Sequence, residues 1–243
     1  MIEQHIDITS RNGVIPSFAV CPDGPGRFPS IIVYMDAPGI REELRNIARR
    51  IAKHGYFVLL PDMYYRLGTL RFDMSRRPDG RMPVIFGAMN SLTNQLVVDD
   101  TAAWLGWLDA QDKAAPGPVG CIGYCMSGKF VTTVAARFSN RIVSAASLYG
   151  VGIVTKEADS PHLLADKIKG AIYYGFAEHD QHVPPEVIPT LTDALKAARV
   201  RYTLEILPGS HHGYQFPERD IYDPHAAEAS WDKIFTMWAE YLK

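Results

Sequence analysis

Val119-Gly120-Cys121-Ile122-Gly123-Tyr124-Cys125-Met126-Ser127-Gly128-Lys129-Phe130 reads as a buried strand, a sharp turn at Cys125 and the start of a helix. A nucleophile held on such a strained turn needs small neighbours, because the strand end and the helix start must approach closely. The usual frame is glycine-x-nucleophile-x-glycine. Here Gly123 takes the first position, Ser127 takes the second, and Gly128 follows at once. A cysteine at this turn faces a helix N-terminus, whose unpaired N–H groups and dipole favour a thiolate. The same turn offers the Met126 N–H as one half of an oxyanion hole. The plainer alternative is that Cys125 is a small buried hydrophobe, as free cysteines usually are. Ser127 is a rival nucleophile, but it lies in the first helical turn and lacks the flanking glycines.

Outward from this turn the chain alternates strands and helices. Towards the N-terminus, His5–Ser10 and Val14–Val20 flank Asn12-Gly13, a strong hairpin-turn dipeptide. Ile31 to Met35 is a short apolar run suited to a strand buried on both faces. Glu42 to Lys53 carries Leu44, Ile47, Ala48 and Ile51 at helical spacing and ends at His54-Gly55, a glycine cap. Tyr56 to Leu60 is the next strand. From Met63 to about Met89 periodicity is lost, in a stretch holding Arg66, Arg71, Arg76, Arg77 and Arg81. Helix is expected at Leu92–Leu108, Gly128–Phe138, Ile188–Ala198 and Ala226–Leu242. Strand is expected at Val119–Tyr124, Ile142–Tyr149, Gly170–Tyr174 and Tyr202–Leu207. A hairpin followed by this alternation predicts one α/β domain over residues 1–243, with a mostly parallel central sheet covered by helices on both faces.

Sites in such sheets form at the carboxyl ends of the strands. Glu178-His179-Asp180 follows one late strand, and Ser210-His211-His212-Gly213 follows the last. Nucleophile, acid and histidine then occur in the chain order of an α/β-hydrolase triad: Cys125, Asp180, His212. Glu178 competes with Asp180 and His211 with His212. Asp180 is favoured by its short side chain ahead of Val183-Pro184, and His212 by the glycine that follows it. Each also has a plain reading, as a turn aspartate or an unpartnered loop histidine. His179 and His182 lack the context of a zinc motif, so no metal is expected.

The 243 residues are 47% hydrophobic and 21% charged, with a formal net charge of −2. That balance supplies no basic surface for nucleic acid. Three scattered cysteines, Cys21, Cys121 and Cys125, do not make a disulfide framework. On an extended strand Cys121 and Cys125 would lie roughly 13 Å apart. Neither a secretory leader nor a membrane span is visible, so a cytoplasmic location is expected. Monomer and homo-oligomer both fit. Arg81, on the arginine-bearing segment, and Tyr124 are candidate substrate-binding residues. The segment is read either as a cover favouring anionic substrates or as a solvated loop. Tyr64, Tyr65, Phe86 and Tyr124 are read either as an apolar acyl pocket or as core.

The residues resemble the dienelactone hydrolase (carboxymethylenebutenolidase) family, the cysteine-nucleophile branch of the α/β-hydrolases. The similarity runs from the Ile31–Met35 strand with Asp36, through Pro61-Asp62-Met63-Tyr64, Gly123-Tyr124-Cys125 and Tyr149-Gly150-Val151-Gly152, to His179-Asp180-Gln181-His182-Val183-Pro184 and His212-Gly213-Tyr214. The resemblance implies cofactor-free hydrolysis of a small lactone or activated ester through a thiol acyl-enzyme. Cys125 would be the nucleophile, His212 the general base and then acid, and Asp180 its orienter. It also implies that Asp36, at a position usually glutamate, helps to activate the thiol, and that the Ala37 N–H completes the oxyanion hole. The family holds a substrate carboxylate with arginines, one just beyond the catalytic histidine; here none occurs before Arg219. A thioesterase on the same site and a redox-sensing thiol on a hydrolase scaffold are the alternatives.

Overall fold

The computed structural model describes residues 1–74 and 80–242. The opening hairpin pairs β1 (Ile2–Ser10) with β2 (Gly13–Cys21) in antiparallel register, with Ser10 opposite Gly13. The remaining strands are β3 (Phe28–Tyr34), β4 (Phe57–Pro61), β5 (Ala114–Tyr124), β6 (Ile142–Leu148), β7 (Ala171–His179) and β8 (Arg201–His211). Together they form an eight-stranded sheet in the order β1-β2-β4-β3-β5-β6-β7-β8, parallel from β4 to β8. The apolar runs of the central strands, such as Phe57–Leu60 of β4 and Val119–Tyr124 of β5, are buried, as a parallel sheet covered on both faces requires. This is the α/β-hydrolase fold.

The expected helices occur with shifts of a few residues at their ends: α1 (Glu42–Lys53), α3 (Asn94–Asp109), α4 (Gly128–Arg137), α5 (Val187–Ala197) and α6 (Pro224–Tyr241). Caps explain two of the starts. The Thr93 hydroxyl accepts the Leu96 N–H ahead of α3, and the Asp223 carboxylate accepts the N–H groups of His225 and Ala226 ahead of α6.

The stretch read as aperiodic differs. It contains a further helix, α2 (Arg81–Asn90), entered from Gly80 with φ +84°. Pro83 and Gly87 disguise it, the one by sitting in its first turn and the other by low helix propensity. Arg76 and Arg77 lie outside the described residues. Arg66 and Arg71 are tied into ion pairs with Asp100 and Asp62.

Two late strands also run further than the apolar runs suggest. β7 continues to His179 and β8 to His211, with a register irregularity between Ala177 and His179. His179 and His211 face each other in the resumed ladder, so the next residues, Asp180 and His212, emerge side by side.

Candidate active site

Cys125 leaves β5 with φ +53°, a left-handed conformation that a non-glycine residue adopts only where its surroundings impose it. Here the surroundings do impose it. A Cβ on Gly123 would lie 2.4 Å from the Val131 Cγ2 and 2.8 Å from the Ser127 carbonyl oxygen. One on Gly128 would lie 2.3 Å from the Gly150 Cα. Both glycines thus let the turn fold flat against α4 and the segment after β6. The Val151 N–H donates to the Cys125 carbonyl at 3.0 Å and pins the turn from that side. Ser127 is fully buried and its hydroxyl donates to the Met35 carbonyl, so it fastens β3 to the turn and has no access to a substrate.

His212 Nδ1 and Asp180 Oδ2 are 2.7 Å apart, with the Asp180 side chain only 3% exposed. The other Asp180 oxygen accepts the His182 N–H at 2.9 Å, so both carboxylate oxygens are held. The competing acid is committed elsewhere: Glu178 accepts the Gly209 N–H at 2.6 Å and is half exposed. His211 packs its ring against His179 instead, with centroids 5.1 Å apart.

His212 and Cys125 line the same cleft. Burial pulls the pKa of His212 down, but hydrogen bonds to Asp180 and Cys125 outweigh it and hold the group up at about 9. His182 lies edge-on to His212 at 4.7 Å. Burial and then the neighbouring His212 charge keep His182 below its ordinary value, so it covers the site as a neutral ring.

The loop after β3 brings Ala37 to the same cleft. Its position is fastened by Tyr64, whose hydroxyl donates to the Ala37 carbonyl at 2.8 Å. Tyr64 is almost fully buried, so the choice between pocket and core falls to a third role, securing this loop.

Asp36, expected from the resemblance to help activate the thiol, is held in ion pairs. It is wholly buried, and Arg41 grips it through both oxygens, at 2.5 and 3.1 Å. Arg219 adds a contact of 2.6 Å to Oδ2. The two guanidiniums lie over the Phe216 ring, each 4.8 Å from its centroid. Arg41 also reaches Glu43 at 2.8 Å, and Glu43 in turn accepts the Glu218 N–H. A short aspartate enclosed in this network serves as the anchor for two arginines. The pairing of Arg219 with Asp36 was not legible in the sequence, because the two lie 183 positions apart.

The cleft above Cys125 has a volume of about 830 Å³. Ala37, His212, Asp180 and Arg219 line it, with an apolar wall from α2. Neither of the two substrate-binding candidates is among the residues that line this cleft. Tyr124 is fully buried beneath the turn, its ring against Phe216 and Tyr149, because the last residue of β5 points into the core. Arg81 opens α2 and donates to the Asp73 carbonyl at 2.7 Å, outside the set of cleft-lining residues. Among the described residues no group of three or more histidine, cysteine or acidic side chains has the geometry to hold a metal ion. Nor is any described helix long and apolar enough to cross a membrane.

The sequence model of the dienelactone hydrolase family matches residues 15–242. A Synechocystis protein named "Putative carboxymethylenebutenolidase" is 27% identical over 98% of this chain and 96% of its own length. The crystal structure of a "Putative Dienelactone Hydrolase" from Klebsiella pneumoniae superposes with a TM-score of 0.87 at 23% identity, covering 99% of each chain. A dienelactone hydrolase-like promiscuous phosphotriesterase from metagenomic libraries superposes at 0.83 with 20% identity, over 100% of this chain and 99% of its own. With nearly the whole chain matched, this protein belongs to the dienelactone hydrolase family of hydrolases.

Proposed function

We propose that the protein hydrolyses a carboxylic ester or lactone through a thiol acyl-enzyme on Cys125. The observation that carries this reading is the left-handed Cys125 turn opening into the cleft where His212 stands paired to Asp180. The thiolate is the nucleophilic form of a cysteine, and a neighbouring imidazolium favours it. His212, whose pKa is held up at about 9, is the base placed to take the thiol proton as the sulfur attacks.

The sulfur attacks the ester carbonyl and the carbonyl electrons move onto oxygen. The N–H groups of Met126 and Ala37 receive that oxyanion, each worth roughly 3–4 kcal/mol by comparison with similar holes. As the tetrahedral centre collapses, the C–O bond breaks and His212 gives its proton to the leaving alkoxide. Neutral His212 then takes a proton from water, the hydroxide attacks the thioester, and the thiolate leaves. For a lactone the freed hydroxyl remains part of the acyl group, and the two leave together as one hydroxy acid in this second step. Asp180 keeps the imidazole oriented throughout. Asp36 has no place in the proton path, because its oxygens are occupied by Arg41 and Arg219. A thioester substrate would meet the same groups. A redox role would lack a partner thiol in the cleft, since Cys21 and Cys121 are buried in the sheet.

The test is p-nitrophenyl acetate hydrolysis by wild type and Cys125→Ala, with the initial burst and the steady state both followed. A burst and turnover that vanish in the variant are expected. Activity that survives the substitution would overturn the assignment of the nucleophile.

A further inference from the structure

We infer that the substrate carries one extended apolar arm, a hydrocarbon chain of medium length, laid along α2. This deepens the reading above and rests on it. Met82, Ile85, Phe86 and Met89 follow the i, i+3, i+4, i+7 spacing of one helical face, and all four line the cleft that holds Cys125. Met74 and Ile221 complete an apolar lining. Ile85 anchors the helix, being 1% exposed, whereas Met82 and Phe86 remain 47% and 43% exposed. An apolar stripe beside a cysteine sulfur and open to water is a surface that an apolar ligand would bury.

The size of the cleft agrees. At about 830 Å³ it is at the upper end of small-molecule pockets and far exceeds the needs of a compact five-membered lactone. The stripe from Met82 to Met89 is roughly 10 Å long, the reach of about eight carbons in an extended chain. Methionines suit such a chain because their unbranched, polarisable side chains adapt to its path. Charge points the same way among the described residues. The guanidinium in the cleft wall, Arg219, is already paired with Asp36.

Two ester series separate the possible positions of the arm. p-Nitrophenyl acetate, butyrate, hexanoate, octanoate and dodecanoate lengthen the acyl side. Methyl, butyl, hexyl and octyl acetates, followed by pH-stat, lengthen the alcohol side. Each buried methylene is worth up to about fourfold, so kcat/KM is expected to rise about tenfold or more from the shortest member to octanoate or octyl acetate in one series. Phe86→Ser should cut that long-to-short ratio by about fivefold. Val84→Ser changes a residue on the same helix that does not line the cleft, and should leave the ratio unchanged. Flat profiles in both series, with Cys125-dependent hydrolysis of the shortest esters, would overturn the apolar arm and leave the acyl-enzyme reading standing. A ratio indifferent to Phe86→Ser would equally remove α2 as the wall. Absence of ester hydrolysis in the wild type would overturn both.

Discussion

His212 Nδ1 meets Asp180 Oδ2 at 2.7 Å because the residues just before them, His211 and His179, are opposite one another in the β7–β8 ladder. The pairing register delivers the contact, and the bond from the His182 N–H to the second carboxylate oxygen stops the acid from rotating away. Glu178, one strand position earlier than His179, leaves towards Gly209.

Asp180→Asn keeps the shape of this contact but cannot hold the imidazole in the same protonation state. We expect kcat to fall by about 10²- to 10⁴-fold with little change in folding. Glu178→Gln should leave kcat near the wild-type value. Steady-state kinetics on both variants checks the pair, and the reverse order of effects would move the acid role to Glu178.

The pKa of His212 is raised from 6.5 to about 9. A raised folded-state value means that protonation stabilises the fold. This contribution is complete below about 6.5 and is lost as pH rises through about 9. Leaving-group protonation depends on the same proton, so kcat/KM should decline on the alkaline side with an apparent pKa near 9. Asp180→Asn removes a bond that raises this pKa, and the alkaline limb should move to lower pH. A pH–rate profile with parallel NMR titration of the imidazole reads both effects.

Asp36→Asn would leave buried Arg41 facing a neutral amide. Breaking a buried pair commonly costs about 3–5 kcal/mol, and a chain of this length loses roughly 2–4 °C in Tm per kcal/mol. A clear drop in Tm is therefore expected. The alkylation rate of Cys125 by iodoacetamide should stay unchanged, whereas a carboxylate acting on the thiol would make that rate fall.

Glu43 is raised from 4.5 to about 7, first by burial and then by Glu218, against the pull of Arg41. Its protonation favours the folded state. The contribution is therefore full below about 4.5 and declines as pH rises through about 7. Glu43→Gln should match the wild-type Tm in mild acid and exceed it by about 2–4 °C above pH 7, the effect of roughly 1 kcal/mol. Thermal melts across the pH range decide this, and equal Tm values at every pH would show that Arg41 already compensates the charge.

Much of the architecture could be read directly from local pattern. The Asn12-Gly13 hairpin, the apolar runs of β3 to β6 and the heptad-like spacing in α1 are short-range signals, set within a turn or two of chain. The Cys125 turn was legible for the same reason, since Gly123 and Gly128 are sequence neighbours of Cys125. α2 was not legible although Met82, Ile85, Phe86 and Met89 carry helical spacing, because Pro83 and Gly87, both poor helix formers, interrupt it. The ends of β7 and β8 were not legible either, since polar residues such as Glu178, His179 and Ser210 belong there to the rim of a site rather than to a core.

The sequence by itself determined the α/β alternation, the position of Cys125 and the chain order in which an acid and a histidine must follow it. Those features depend on local periodicity and on motif spacing. Only the tertiary structure pairs Asp180 rather than Glu178 with His212, packs His211 against His179 instead, and encloses Asp36 between Arg41 and Arg219. Each of these choices depends on strand register and on which distant side chain fills the remaining space. Arg219 is 183 residues from Asp36, and no local propensity encodes such a distance. Packing supplies it when the β3 loop and the loop beyond His212 close over the same end of the sheet.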